Sequence, residues 1–176
     1  MKKILLLMTW GFISLFGAQL TLINGEVKAH TEVFGDANIE PKTNIITSHL
    51  TMKQGINSIR GYVNVSILKL HSDNDTRDEH MEEALESDKY PLARFDFLNI
   101  KKHQKTYSIE GTLTFHGVKH PLTIDALVTD DGKKIKIKGK TAFKLSEYKI
   151  KPIKMLFLTV RDRIDIAINV TFKKSK

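Results

Sequence analysis

Tyr107-Ser108-Ile109-Glu110-Gly111-Thr112-Leu113-Thr114-Phe115-His116-Gly117-Val118-Lys119-His120-Pro121 is the stretch that decides the fold. Tyr107, Ile109, Leu113 and Phe115 alternate with Ser108, Glu110, Thr112 and Thr114, the period of a strand with one dry and one wet face. The Gly117-containing link leads into a second alternating run, in which Leu122, Ile124, Ala126 and Val128 oppose Thr123, Asp125 and Thr129. Pro121 is acceptable as that strand's first residue.

The same alternation extends in both directions. Asp130-Asp131-Gly132 carries the Asp-Gly hairpin signal. After it, Lys134, Lys136, Lys138 and Lys140 face one way, and Ile135, Ile137, Thr141 and Phe143 the other. Ile164, Ile166, Ile168, Val170 and Phe172 form the last dry face. Upstream, Val63, Val65 and Ile67 share a face, as do Val27, Ala29, Thr31 and Val33. One segment breaks the pattern. Thr76-Arg77-Asp78-Glu79 reads as a capping box opening a short helix from Arg77 to about Glu86, before Tyr90-Pro91. One helix among seven or eight antiparallel strands implies an all-β closed barrel or sandwich, not a βαβ fold.

The chain has 176 residues and no cysteine, which excludes disulfides, zinc-thiolate and iron–sulfur sites and a Cys nucleophile. Its net charge of +8 is uneven: residues 133–176 carry 14 Lys/Arg against 3 Asp/Glu, and the rest of the chain 14 against 17. Much of this excess is the wet face of strands, although it also offers attraction to an anionic membrane surface. Nucleic acid is not expected, because no binding motif is present and aromatic residues are not interleaved with the basic ones.

Met1-Lys2-Lys3, the uncharged run Ile4–Phe16 and the small residues Gly17-Ala18 match a secretory signal peptide over residues 1–18. Phe16 is a poor residue three before a cut at Ala18, so the cleavage point is open over 18–25. An uncleaved anchor from Ile4 to Gly25 is the alternative. The folded domain is expected over residues 26–174, in the periplasm or outside the cell.

The sequence resembles the YceI-like family of small exported, lipocalin-like proteins. Ala29-His30-Thr31 is similar to the family's early His-Ser strand, and Arg77-Asp78-Glu79-His80-Met81 to its Arg-Asp-x-His-Leu helix start. Ser87-Asp88-Lys89-Tyr90-Pro91 and Phe95 follow in family order, and Tyr107–Pro121 carries the strongest likeness. Val160-Arg161-Asp162-Arg163-Ile164 resembles a late Val-Gly-Asp strand start, with Arg161 in place of Gly. The resemblance implies an eight-stranded antiparallel barrel around an apolar cavity open at one end, holding a polyisoprenoid or fatty-acid derivative.

On that reading the inward residues are Val63, Val65, Ile67, Phe95, Phe97, Ile109, Leu113, Phe115, Ile124, Ala126, Phe143, Ile164, Ile166 and Ile168. They either fill the core or line the chain-binding space, and enlarging Ala126 is expected to occupy cavity volume. Arg77, Asp78 and His80 stand at the mouth, where they contact a head group or only secure the helix locally. His116 and His120 are spaced four apart but flank a turn glycine, so no metal site is expected. His30, His49, His71 and His103 read as surface residues. No nucleophile elbow, Walker loop, dinucleotide fingerprint or HExxH motif is present, so no enzyme and no cofactor are expected. The function that follows is a carrier or scavenger of an apolar lipid. The alternative is a filled barrel docking a partner or anionic membrane through its Lys-rich strand face.

Overall fold

The computed structural model of the chain describes residues 17–33, 36–151, 154–155 and 158–175. The expected signal segment 1–16 therefore lies outside the described residues. Twelve strands are described: β1 (Ala18–Val33), β2 (Asp36–Ile39), β3 (Lys42–Thr43), β4 (Ile46–Met52), β5 (Arg60–Ser66), β6 (Leu92–His103), β7 (Thr106–Phe115), β8 (Val118–Asp130), β9 (Lys134–Lys144), β10 (Lys154–Met155), β11 (Leu158–Thr159) and β12 (Arg163–Ser175). Helix α1 (Asp75–Ala84) stands between β5 and β6.

Eight strands run in the order β12-β9-β8-β7-β6-β5-β4-β1, and antiparallel pairing of β12 with β1 closes the ring. That closing ladder runs from Gln19 opposite Ser175 to His30 opposite Asp165, with a bulge between Leu22 and Asn24. The result is a closed eight-stranded antiparallel barrel, which decides between the two architectures that alternation allows. A barrel of this size has an interior just wide enough for side chains or one slender ligand.

β1 pairs with β4 from Ala18 to Leu20, so residues 18–25 are strand residues ahead of the expected domain start. Two further strands carry no clean alternation in sequence. β4 places Ser48 between the inward Ile46 and Leu50. In β6 a bulge between Phe97 and Asn99 shifts the dry face from Phe95 and Phe97 to Ile100. Pro121 is not the first residue of β8 but its fourth, opposite Thr112. It is tolerated because β8 pairs with β9 only from Asp125 onward, which leaves that edge of Pro121 without a ladder. The β7–β8 turn is just His116-Gly117, both at positive φ (48° and 74°), the two-residue geometry whose twist matches a hairpin.

The helix starts two residues earlier than the capping box suggests. Asn74, not Thr76, is the N-cap, and its side-chain oxygen accepts the Arg77 N–H at 2.9 Å. Asn is at least as good a cap as Thr, and here it wins.

The two ends of the barrel differ. At the end bearing the β4–β5, β6–β7 and β8–β9 turns, Leu20, Leu50, Ile59, Ile100, Ile109, Ile135 and Phe172 are all 2% exposed or less. The 3-10 turn Ile56–Ser58 adds buried Ile56 to this plug. Full burial of each such side chain contributes roughly 1.5–3 kcal/mol, so this closed end holds the fold. α1 belongs to the other end.

Candidate functional site

The other end holds an apolar cavity of about 190 Å³ that communicates with solvent. An apolar cavity of about 150 Å³ already stays dry and takes up benzene, so this one is ample for a section of hydrocarbon chain. Its wall is almost wholly carbon. Of the inward residues read from sequence, Val65, Ile67, Phe95, Leu113, Phe115, Ile124, Phe143, Ile164, Ile166 and Ile168 line it. Val63, Phe97, Ile109 and Ala126 are not among its lining residues. Ile109, Ala126 and Phe97 are buried in the packed core instead, at 1%, 3% and 9% exposure. Ala126 is therefore a packing position, and a larger residue there would press on the core rather than occupy the cavity. Alternation assigns a face of the sheet but does not say how far along the strand the packing stops.

Several lining residues carried no such signal. Val27, Ala29 and Thr31 do lie on an alternating face, but Met81 on α1, Leu85 at its C-cap, Leu70 before it and Val160 in the β11–β12 connection come from segments without strand periodicity. They close over the mouth from outside the barrel wall. Among the wall residues Phe115 packs edge-on against Phe143, with centroids 5.6 Å apart, and both meet Tyr148 at 5.5 and 5.2 Å. Tyr148 is 1% exposed, and burial pushes its phenol pKa up to about 12.

Polar groups gather at the rim. Asp78 is buried, and both its carboxylate oxygens accept the backbone N–H of Ser72 at 2.9 Å. His71 Nδ1 stands 3.6 Å from the same carboxylate. The Arg77 guanidinium reaches Asp73 at 2.9 Å, one helical turn back. Arg77, Asp78 and His80 all line the cavity, so the helix start is both a local structural knot and part of the mouth.

The turn histidines act as buttresses. His116 Nδ1 lies 3.1 Å from the Tyr148 carbonyl and Nε2 3.0 Å from the Glu86 carboxylate, with the Tyr90 ring packed at 4.4 Å. His120 Nε2 is 2.9 Å from the Glu147 carbonyl. These contacts tie the β7–β8 turn to the segment after β9 and to the end of α1. His30 is not a plain surface residue either: it is half-buried, 3.5 Å from Glu32 and 3.7 Å from Glu40. Glu40 comes from the β2–β3 connection, a contact that no sequence spacing announces.

A family model described as the YceI-like domain matches residues 19–172. Among known proteins, protein YceI of Shigella flexneri is 31% identical over 97 residues, covering 51% of this chain and 51% of its own length. The UPF0312 protein plu2095 of Photorhabdus laumondii is 32% identical over 73 residues, covering 40% and 38%. The match thus spans about half, or less, of these relatives' length. Among solved structures, a polyisoprenoid binding domain from Saccharophagus degradans superposes with a TM-score of 0.72 at 9% identity, over 91% of this chain and 99% of that one. BcnA of Burkholderia cenocepacia gives 0.73 at 15% identity, over 84% and 95%. The YceI protein of Campylobacter jejuni gives 0.61 at 23%, over 74% and 82%. These solved structures, each under 25% identical, share only the fold with this barrel, but the family model covers residues 19–172, and the chain belongs to the YceI-like domain family.

Proposed function

We propose that this protein is an exported binding protein that holds a long apolar chain, a polyisoprenoid or fatty-acid derivative, inside the barrel without catalysing its conversion. The observation that carries this reading is the carbon-walled cavity under α1, whose charged and titratable lining residues, Arg77, Asp78 and His80, all come from the helix. Each CH₂ moved from water into such a space gains roughly 0.8 kcal/mol, so a chain needs few polar contacts to be retained. The description of the Saccharophagus domain as polyisoprenoid-binding supports the class of ligand. A barrel with this much open interior argues against the filled-barrel alternative.

Within this reading, the register of β1 favours cleavage at Ala18 over cleavage further along the chain. A cut after Ala18 leaves Gln19 opposite Ser175 and keeps the closing ladder whole, whereas a cut near residue 25 removes about half of it. Native mass spectrometry of protein gently purified from the extracytoplasmic fraction tests both parts of the reading. The expected result is a chain beginning near Gln19, carrying a discrete hydrocarbon-rich adduct or acquiring one from added isoprenoids. A clean protein mass with no uptake across isoprenoid and acyl series overturns the carrier reading.

A further inference from the structure

We infer that the closed end of the barrel, opposite the mouth, is a docking surface for an anionic lipid bilayer. The turns and chain ends gathered there carry Lys53, Arg60, Lys101, Lys102, Lys105, Lys133, Lys134, Lys173 and Lys174, against Glu110, Asp130 and Asp131. All nine cations except Lys174 are exposed. Two of them are neutralised locally, since Lys101 reaches Glu110 and Lys174 reaches Asp130, each at 2.6 Å. Arg60 donates to the Asn57 and Ile59 carbonyls and keeps its charge. Asp131 is spent on the backbone N–H groups of Lys133 and Lys134.

The placement distinguishes this end from the other basic features among the described residues. On the β9 wall, Lys136 has Thr129 and Thr171 as its cross-strand neighbours, Lys138 has Leu127 and Asn169, and Lys140 has Asp125 and Ala167. That is a single row on a convex surface, which meets a plane along a line. The closed end instead presents several turns side by side. At the mouth, the eight carboxylates and one arginine of residues 73–88 outweigh the basic segment from the end of β9 to the start of β12, where Lys144, Lys149, Lys151, Lys154, Arg161 and Arg163 stand against Glu147 and Asp162. The barrel is thus polar along its axis. An anionic surface attracts the closed end and finds no comparable cationic field at the mouth.

The start of the chain points the same way. Ala18, opposite Met52, opens β1 at this end, so the uncharged sequence Ile4–Phe16 joins the barrel here. If that sequence is retained, the closed end faces the bilayer that holds it. If it is removed, the new α-amino group adds positive charge to the same end. Docked in this way, the mouth faces away from the membrane, toward the compartment from which a chain is received or to which it is passed. The docking does not depend on whether the cavity carries a chain, so the two readings fail separately.

Co-sedimentation with vesicles of phosphatidylglycerol and phosphatidylcholine, against phosphatidylcholine alone, tests the inference. Two triple variants with equal charge change are compared: K102E/K105E/K133E at the closed end and K136E/K138E/K140E on the β9 wall. Thermal melts check that both fold. The expected result is binding to the anionic vesicles only, weakened at least about tenfold by the first variant and far less by the second, and lost at high salt. Equal effects of the two variants, a larger effect of the wall variant, or no binding to anionic vesicles overturns it. So does retention on heparin or nucleic acid in the absence of vesicle binding.

Discussion

Asp78 grips the backbone N–H of Ser72 with both carboxylate oxygens at 2.9 Å, and in doing so fastens the first turn of α1 to the segment leaving β5. The carboxylate is buried and the bond part-buried at the rim of the cavity, where a missing acceptor leaves the Ser72 amide without this partner. Asp78→Ala is expected to cost about 1–3 kcal/mol, while Asp78→Asn, which keeps one acceptor oxygen, costs less. Urea unfolding measures the cost, and amide exchange locates it. Faster exchange confined to residues 72–85 is the expected signature; unchanged exchange there contradicts the role.

Two alanines on the dry face separate cavity from core. Ala29 lines the cavity, whereas Ala126, 3% exposed, packs beside Gly139 at the closed half. Ala29→Phe is expected to reduce chain uptake severalfold with little change in melting temperature. Ala126→Phe is expected to destabilise by about 1–3 kcal/mol through overpacking, and to leave uptake per folded molecule intact. Paired thermal melts and binding titrations check this. A cavity that extended to Ala126 would reverse the ranking.

How much of this was legible in the sequence follows from the length scale of each feature. The strand phase was readable because it repeats every two residues. Ile135 and Ile137 are buried and Lys134, Lys136 and Lys138 exposed, as their alternation requires. β6 was hidden because its bulge at Leu98 inverts the phase halfway along. The cavity boundary was not readable, because Ile109 and Leu113 share one strand face yet fall on opposite sides of the point where packing gives way to open space. The lid was missed for a different reason. Met81 and Leu85 sit in and just after a helix dominated by charged residues, and only its position over the mouth makes them part of the wall. The His116–Glu86 contact joins residues 30 apart in the chain, which no local pattern encodes.

Tyr148 gives the fold an alkaline limit. Burial raises its folded-state pKa from 10.0 to about 12, so the fold favours the neutral phenol. That contribution is fully present below pH 10 and is lost as pH rises from about 10 through about 12. Tyr148→Phe keeps the ring against Phe115 and Phe143 and removes the ionisation. Chemical unfolding at a series of pH values is expected to show the unmodified protein losing stability more steeply than Tyr148→Phe across that window. Parallel curves contradict a buried phenol.

Chain length and salt together test what holds the ligand. If apolar burial supplies most of the free energy, affinity rises with each added CH₂ until the cavity is filled, then levels off. The rise is at most about fourfold per CH₂, the equivalent of roughly 0.8 kcal/mol. Between low and high ionic strength it changes little, because burial of carbon is not screened. The rim adds only a head-group preference, which substitutions at Arg77 or His80 shift without moving the length at which affinity saturates. Ala29→Phe shortens that length, because the added ring takes up space the chain would occupy. Titration of isoprenoid and acyl chains of graded length, at two salt concentrations, measures all three dependences. Affinity that is flat with length and falls with salt places the ligand on the charged surface instead, and the cavity is then no binding site.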